Sequence, residues 1–232
     1  MIFFLENSAS RTYGQKPSLG AGTSITLGSV GYARWSGTFD GEWQGRDLAP
    51  FFILDLSFDS YMRQFTVGGG AWKTVEPGLR VKGGLNLNFG RFKETKESGK
   101  SFTLEMGLER ELEKPVVGGE YRLTSGKAGS SVYNHVSGQR LLDQIKIKNA
   151  TTQDLETFTT HELSGYTNFP MGKNSLGLRL TLGLPSYSGT VLTETASYKF
   201  SVKQSLYITP AVSLEQGPTN GAYISLGVYH PF

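Results

Sequence analysis

One short stretch of this chain has the residue types and spacing of a nucleophilic hydrolase. In Tyr133-Asn-His-Val-Ser137, His135 and Ser137 stand two residues apart, so an extended strand would place both side chains on one face. A histidine in that position can accept the serine hydroxyl proton while a third polar group orients the imidazole. The sequence therefore offers ester hydrolysis as one alternative. The other interpretation is that His135 and Ser137 are polar loop residues.

A second set of candidates is charged and alternates with apolar residues. Arg80 and Lys82 stand opposite Leu79 and Val81, and other strands repeat the pattern. If the apolar faces touch lipid, the charges must line the other face, because Lys or Arg on a lipid-facing strand costs about 2–4 kcal/mol near the midplane. The predicted pore-lining residues are Arg34, Arg80, Lys82, Arg122, Arg179 and Lys199, with Asp55, Glu105, Glu109 and Glu120. We expect opposed basic and acidic groups, with a mild preference for anions.

The elements that must position these residues are strands. Apolar side chains recur at every second position in segment after segment, and the longest such face is Leu176, Leu178, Leu180, Leu182 and Leu184. A strand sends alternate side chains to opposite faces, so each segment has one apolar and one polar face. Alternation over many segments of about ten residues is typical of a membrane β-barrel. Arg63 shares the apolar side of its segment, so we expect it at a membrane interface or beside a β-bulge.

Turn residues divide the chain into fourteen candidate strands, of which we expect twelve, with ten or fourteen as alternatives. Predicted turns include Asp40-Gly41 and Gly172-Lys-Asn174, and Gly68-Gly-Gly70 is predicted to be a hairpin loop. The candidate strands are 18–28, 30–39, 50–58, 61–68, 78–92, 101–111, 115–124, 129–137, 140–148, 156–169, 175–184, 190–202, 205–214 and 222–232. Residues 124–155 are the least regular, and we expect a long loop there.

Composition agrees with one β domain over residues 1–232. The chain is 38% hydrophobic and contains 30 glycines, so a soluble protein of this composition would bury a modest core. The net charge of +3 and the absence of a Lys and Arg run argue against nucleic-acid binding. There is no cysteine, and His161 and His230 lack partners at metal-ligand spacing, so we expect neither metal nor cofactor. No secretory signal is visible at Met1–Leu5, and we expect a mature chain.

The last eleven residues, Ala222-Tyr-Ile-Ser-Leu-Gly-Val-Tyr-His-Pro-Phe232, place Ile224, Leu226, Val228 and Phe232 on one face. This segment resembles the closing strand of Gram-negative outer-membrane β-barrel proteins, in which an aromatic terminus and alternating apolar residues form the assembly signal. The resemblance implies an antiparallel up-and-down transmembrane barrel with both termini on the periplasmic side. It also implies a location in the outer membrane, contact with its lipids and lipopolysaccharide, and recognition by the barrel-assembly machinery.

Aromatic residues near strand ends support the same prediction, since they form girdles at membrane interfaces. The residues concerned are Trp35, Phe39, Phe51, Tyr61, Phe102, Tyr198, Tyr223 and Phe232. A soluble β-sandwich also alternates and is the competing fold.

The sequence is compatible with three functions. A porin-like channel would pass small hydrophilic solutes, while a filled barrel would serve as an anchor or an adhesin. The third is enzymatic, because His135-Val-Ser137 is similar to the His-x-Ser of outer-membrane phospholipase A and of the lipid A 3-O-deacylase. By that resemblance Asn149 would orient the histidine.

Overall fold

The structure is a computed structural model that describes residues 17–29, 32–43, 45, 47–59, 62–92, 98–126, 158–186, 189–203, 205–217 and 220–232. Those residues form twelve strands. The strands are β1 Pro17–Gly28, β2 Ala33–Trp43, β3 Leu48–Asp59, β4 Met62–Glu76, β5 Leu79–Phe92, β6 Ser98–Glu111, β7 Val116–Gly126, β8 Phe158–Met171, β9 Asn174–Pro185, β10 Val191–Lys203, β11 Leu206–Gln216 and β12 Gly221–Pro231.

Each strand pairs antiparallel with the strands before and after it in the chain, and β1 pairs with β12, so the sheet closes on itself. Closure satisfies the backbone hydrogen-bonding groups that an open sheet would leave unpaired at its edges. The described residues contain no helix that is both long and apolar enough to cross a membrane.

The burial pattern is inverted relative to that of a soluble protein. Among the described residues, 22 polar or charged residues are buried, whereas the buried apolar residues are four: Tyr32, Val191, Ala211 and Tyr223. Large apolar side chains cover the outside instead, for example Leu180 at 50% exposure and Ile224 at 65%. Such a surface would be unstable in water but is stable in lipid, because lipid can cover it without cost. The soluble sandwich is therefore excluded, and the chain is a membrane-spanning barrel.

The two ends of the barrel differ. At one end, which we call the turn end, β4 joins β5 through Pro77–Gly78 and β8 joins β9 through Gly172–Lys173. Both glycines have positive φ, 77° and 69°, which a residue with a side chain rarely adopts. At the other end, the loop end, residues 127–157 connect β7 to β8. Short turns face the periplasm and longer loops face outward in barrels of this class.

The strand count of twelve confirms the sequence prediction. Of the fourteen candidates, 129–137 and 140–148 lie outside the described residues, and each of the others corresponds to one strand. Arg63 points outward in a regular part of β4, opposite Arg91, so the irregularity proposed for that strand lies elsewhere, between Thr74 and Glu76. The turn predicted at Gly172 is confirmed.

Two predicted interruptions were wrong. Asp40-Gly41 lies within β2, and Gly68–Gly70 lies within β4. The glycines mark crowding inside the barrel, because a Cβ on Gly70 would come within 2.1 Å of the Gly83 carbonyl oxygen and 2.8 Å of the Phe51 ring.

The prediction that aromatic residues near strand ends form membrane-interface girdles was wrong for Phe51 and Tyr223, which point inward. Tyr61 lies outside the described residues. Phe51 shares the interior face of β3 with Asp55, and Tyr223 packs edge-on against Tyr32 at 6.0 Å between ring centroids.

Candidate functional site: the polar interior of the barrel

The ten charged residues predicted to line a lumen all lie on the interior face. The strand register shows this directly: Glu105 stands beside Arg122, and Thr38 stands beside Asp55, with their apolar chain neighbours on the outside. All ten are buried or half-buried, although no apolar core surrounds them. Their orientation follows from the strand period alone, whereas their grouping depends on how the strands are staggered.

Eight charged residues on β5–β9 form a continuous patch that we call the charged wall. It consists of Arg80, Lys82, Arg122 and Arg179 with Glu105, Glu109, Glu120 and Glu162. Arg80 donates to Glu109 at 2.5 Å, and Lys82 donates to Glu105 at 2.7 Å. Four basic and four acidic groups balance, so the wall is strongly polar but carries no net charge.

Glu120 is the centre of the charged wall. It accepts hydrogen bonds from Lys82 at 3.4 Å, from Arg122 at 3.0 Å and from Arg179. These donors come from β5, β7 and β9, so one carboxylate links three strands. The side chain of Glu120 is 8% exposed, and a carboxylate so far from bulk water requires charged partners of this kind.

Aromatic rings on the interior extend the charged wall toward the turn end. Arg80 lies over the Trp72 ring at 4.7 Å, and Lys82 lies over the Phe51 ring at 5.1 Å. Tyr166 donates to Glu109 at 3.2 Å. Sequence reasoning missed these rings as interior residues. The available signal was the two-residue alternation of side chains along a strand, which places Trp72 on the same face as Thr66 and Phe51 on the same face as Asp55.

The other side of the barrel, β10–β12 and β1, carries small side chains at mid-height, and we call it the small-residue wall. The interior residues there are Thr193, Thr195, Ser197, Thr209, Ala211, Ser213, Ser225, Gly227, Gly22, Ser24 and Thr26. Thr195 and Ser213 share a hydrogen bond of 2.9 Å across neighbouring strands. Lys199 lies nearer the turn end, 4.1 Å from the Tyr207 ring.

This asymmetry differs from the opposed rings that we expected. The basic and acidic residues of the charged wall interleave because β5 and β9 contribute basic side chains, β6 and β8 contribute acidic ones, and β7 contributes one of each. The ion pairs described above join neighbouring strands or strands separated by one, except that Arg122 and Glu120 lie on the same strand. They therefore run along the wall of the barrel rather than across its interior.

Two observations bear on the space inside. A cavity of about 200 Å³ is bounded by interior residues of β2–β8, among them Arg34, Asp55 and Lys82. Strand spacing and tilt give a closed sheet of twelve strands a backbone radius of about 12 Å. The described side chains therefore leave this cavity open inside the barrel.

The candidate hydrolase residues His135, Ser137 and Asn149 lie outside the described residues, so their catalytic role stays a prediction. Among the residues that the structure describes, no three His, Asp or Glu side chains group in a way that could hold a metal ion.

The closed sheet, the apolar exterior and the polar interior define the class: this chain is a membrane-spanning β-barrel. The sequence matches no protein-family model, and no curated protein matches it.

Solved structures show which fold it shares. An outer membrane channel from Pseudomonas putida F1 superposes with a TM-score of 0.71 at 8% identity, covering 98% of this chain and all of that one. The KdgM porin gives 0.64 at 8% identity, covering 92% and 99% of the two chains. The NanC porin gives 0.61 at 11% identity, covering 91% and 98%.

Proposed function

We propose that this barrel is a channel for small hydrophilic solutes across the outer membrane. The observation that carries the proposal is the asymmetric interior, in which a wall of ion pairs faces a wall of hydroxyl groups and glycines. Interiors of small barrels are filled by side chains, whereas twelve strands enclose a wider cross-section, and the cavity of about 200 Å³ between the described side chains supports an open interior. The filled anchor or adhesin is therefore less well supported.

The polar surfaces favour hydrophilic solutes. Hydroxyl groups, amides and ion pairs offer hydrogen-bond donors and acceptors along the interior, which can replace the water of a passing solute. The fold is compatible with this use, since the KdgM porin has been solved in complex with disordered oligogalacturonate.

The sign of the interior charge supports a weak cation preference. The predicted anion preference was based on the basic excess among the predicted pore-lining residues, of which six are basic and four are acidic. Among the described interior residues that are buried or half-buried, six are basic and nine are acidic. The acidic ones are Asp40, Glu42, Asp55, Asp59, Glu105, Glu109, Glu120, Glu162 and Glu215, and the basic ones are Arg34, Arg80, Lys82, Arg122, Arg179 and Lys199. Fixed charge inside a pore concentrates ions of the opposite sign.

A flux assay with a matched pair of variants tests the channel. The purified barrel is inserted into liposomes, and swelling is followed in solutions of neutral sugars of increasing size. Ser197→Trp adds a ring to the small-residue wall, whereas Ala196→Trp adds the same ring to the outer surface. We expect the wild-type protein and Ala196→Trp to admit small sugars, and Ser197→Trp to admit them several times more slowly because its lumen is narrower.

Inserted wild-type barrels that admit no sugar would contradict the proposal and favour a filled interior. The resistance of the folded barrel to protease is measured as a separate check on insertion. Failed assembly is then not mistaken for a closed lumen.

A further inference from the structure

Three basic side chains gather on the outer surface at the loop end of the barrel. Arg63 near the start of β4, Arg91 near the end of β5 and Lys100 near the start of β6 are all exposed. Arg63 and Arg91 are direct register partners, and Lys100 is two residues beyond Ser98, the partner of Arg91 on the next strand. We call these three residues the basic rim cluster.

The register places like charges side by side. Directly opposed residues on one face of an antiparallel pair have Cβ atoms about 4.5–5.5 Å apart, and like charges in that position destabilise a sheet. The other cross-strand partners within the described residues are Phe58 beside Arg63 and Phe89 beside Lys100, and neither is acidic. An anion held between the two guanidinium groups would remove the repulsion, and a phosphate suits their paired N–H donors.

Aromatic rings fix the depth of the cluster in the membrane. Phe65 stacks on Phe89 at 6.4 Å between centroids, one step toward the middle of the barrel from the Arg63–Arg91 pair. Both rings are outside, at 42% and 40% exposure. Aromatic girdles mark the boundary between hydrocarbon and headgroups, so the basic groups just beyond the rings lie at headgroup height.

We propose that the basic rim cluster is a binding site for the phosphate of an outer-leaflet lipid headgroup. The loop end faces outward in barrels of this class, so the lipids beside it belong to the outer leaflet. The lipid's acyl chains would lie along the Phe65–Phe89 surface while its phosphate bridges Arg63 and Arg91, with Lys100 as a third donor. This site lies on the opposite face of the sheet from the lumen and does not depend on the channel.

The turn end offers a matched comparison. Lys73 and Arg110 are also basic and exposed on the outer surface, but the register partners of Lys73 are Leu48 and Val81 and those of Arg110 are Leu79 and Val117. The cross-strand partners of both charges are therefore apolar. Lys73 and Arg110 carry the same sign as the basic rim cluster without its paired geometry.

Lipid retention tests the proposal. The whole protein is assembled into phosphatidylcholine nanodiscs that contain either diphosphoryl lipid A or the same lipid without phosphates, and bound lipid is counted by native mass spectrometry after release into detergent. We expect the wild-type barrel to retain the phosphorylated lipid and not the other. Arg63→Glu should reduce retention about tenfold or more, because one charge-assisted contact is lost and the phosphate is repelled.

The Arg63→Glu variant keeps the test independent of folding, because its carboxylate can pair with Arg91 and the barrel should unfold no earlier than the wild-type protein. The control Lys73→Gln/Arg110→Gln should retain lipid A as the wild-type protein does. The proposal would be overturned if Arg63→Glu retained as much lipid A as the wild-type protein, or if the control lost as much lipid A as Arg63→Glu. Binding of the dephosphorylated lipid as strongly as the phosphorylated one would also overturn it. Displacement by millimolar inorganic phosphate would reassign the site to free phosphate and would likewise overturn it.

Discussion

At the scale of single residues, Glu120 is the carboxylate of the charged wall that accepts hydrogen bonds from Lys82, Arg122 and Arg179 together. Replacing it with glutamine would leave Lys82, Arg122 and Arg179 close together without their shared partner. Breaking a buried ion pair from one side costs about 3–5 kcal/mol, and the residual exposure of these side chains places the expected loss near the lower figure. The midpoint of urea unfolding in lipid vesicles measures it.

A matched carboxylate provides the control for Glu120→Gln. Asp55 lies on the same interior surface, and the hydrogen bond described for it comes from Thr38 at 2.8 Å. Asp55→Asn should therefore cost about 1 kcal/mol. Equal costs for the two variants would show that the Glu120 network adds nothing to stability beyond an ordinary polar contact.

Arg80 and Lys82 carry a prediction about ion selectivity. The variant Arg80→Gln/Lys82→Gln removes two positive charges from the interior, so the lumen becomes more negative and its preference shifts toward cations. The reversal potential in a salt gradient should move toward the cation equilibrium potential. The same loss of charge on the outer surface, in Lys73→Gln/Arg110→Gln, should leave the reversal potential unchanged. If the reversal potential of the interior variant equals that of the wild-type protein, Arg80 and Lys82 do not line the pore.

Much of this site could be predicted at the residue scale, but its contacts could not. The period of two is enough to place Arg80, Glu105 and Arg179 on one side of the sheet. The pairing of Arg179 with Glu120 joins residues 59 positions apart, and it depends on the stagger of β7, β8 and β9. Side-chain alternation carries no information about that stagger, and for this reason the sequence suggested opposed rings where the structure has one wall.

At the scale of strands, β4 and β5 contain glycines for reasons of space. Gly70 and Gly84 are register partners beneath the Phe51 ring. Gly70→Ala would force a Cβ to within 2.6 Å of the Gly84 Cα atom, so we expect a loss of about 1–3 kcal/mol from overpacking.

Gly83→Ala is the control for this prediction, because a Cβ at Gly83 meets nothing within 4 Å. It should unfold at nearly the same urea concentration as the wild-type protein. If Gly70→Ala is as stable as Gly83→Ala, the close approach of β4 and β5 at Phe51 is not a constraint on the fold. The three consecutive glycines looked like a loop in the sequence because glycine in turns and glycine in crowded strands have the same composition.

At the scale of the whole molecule, the fold followed from the sequence because lipid imposes a simple rule. Every spanning strand needs one apolar face, and a closed sheet is the solution that satisfies its backbone. Strand number was less certain, because residues 124–155 also contained two stretches that could alternate. The two walls of the interior were not predictable in the same way. Contact with lipid constrains the outer face of each strand, but it does not select which interior polar side chains lie next to each other.

The open lumen is the feature on which the proposed function depends, and single-channel recording tests it. Purified protein reconstituted in a planar bilayer under a salt gradient should give discrete conductance steps, with a reversal potential that shows a weak cation preference. Barrels that insert correctly but remain silent would contradict an open channel, and they would show that the charged wall and the small-residue wall close the interior between them.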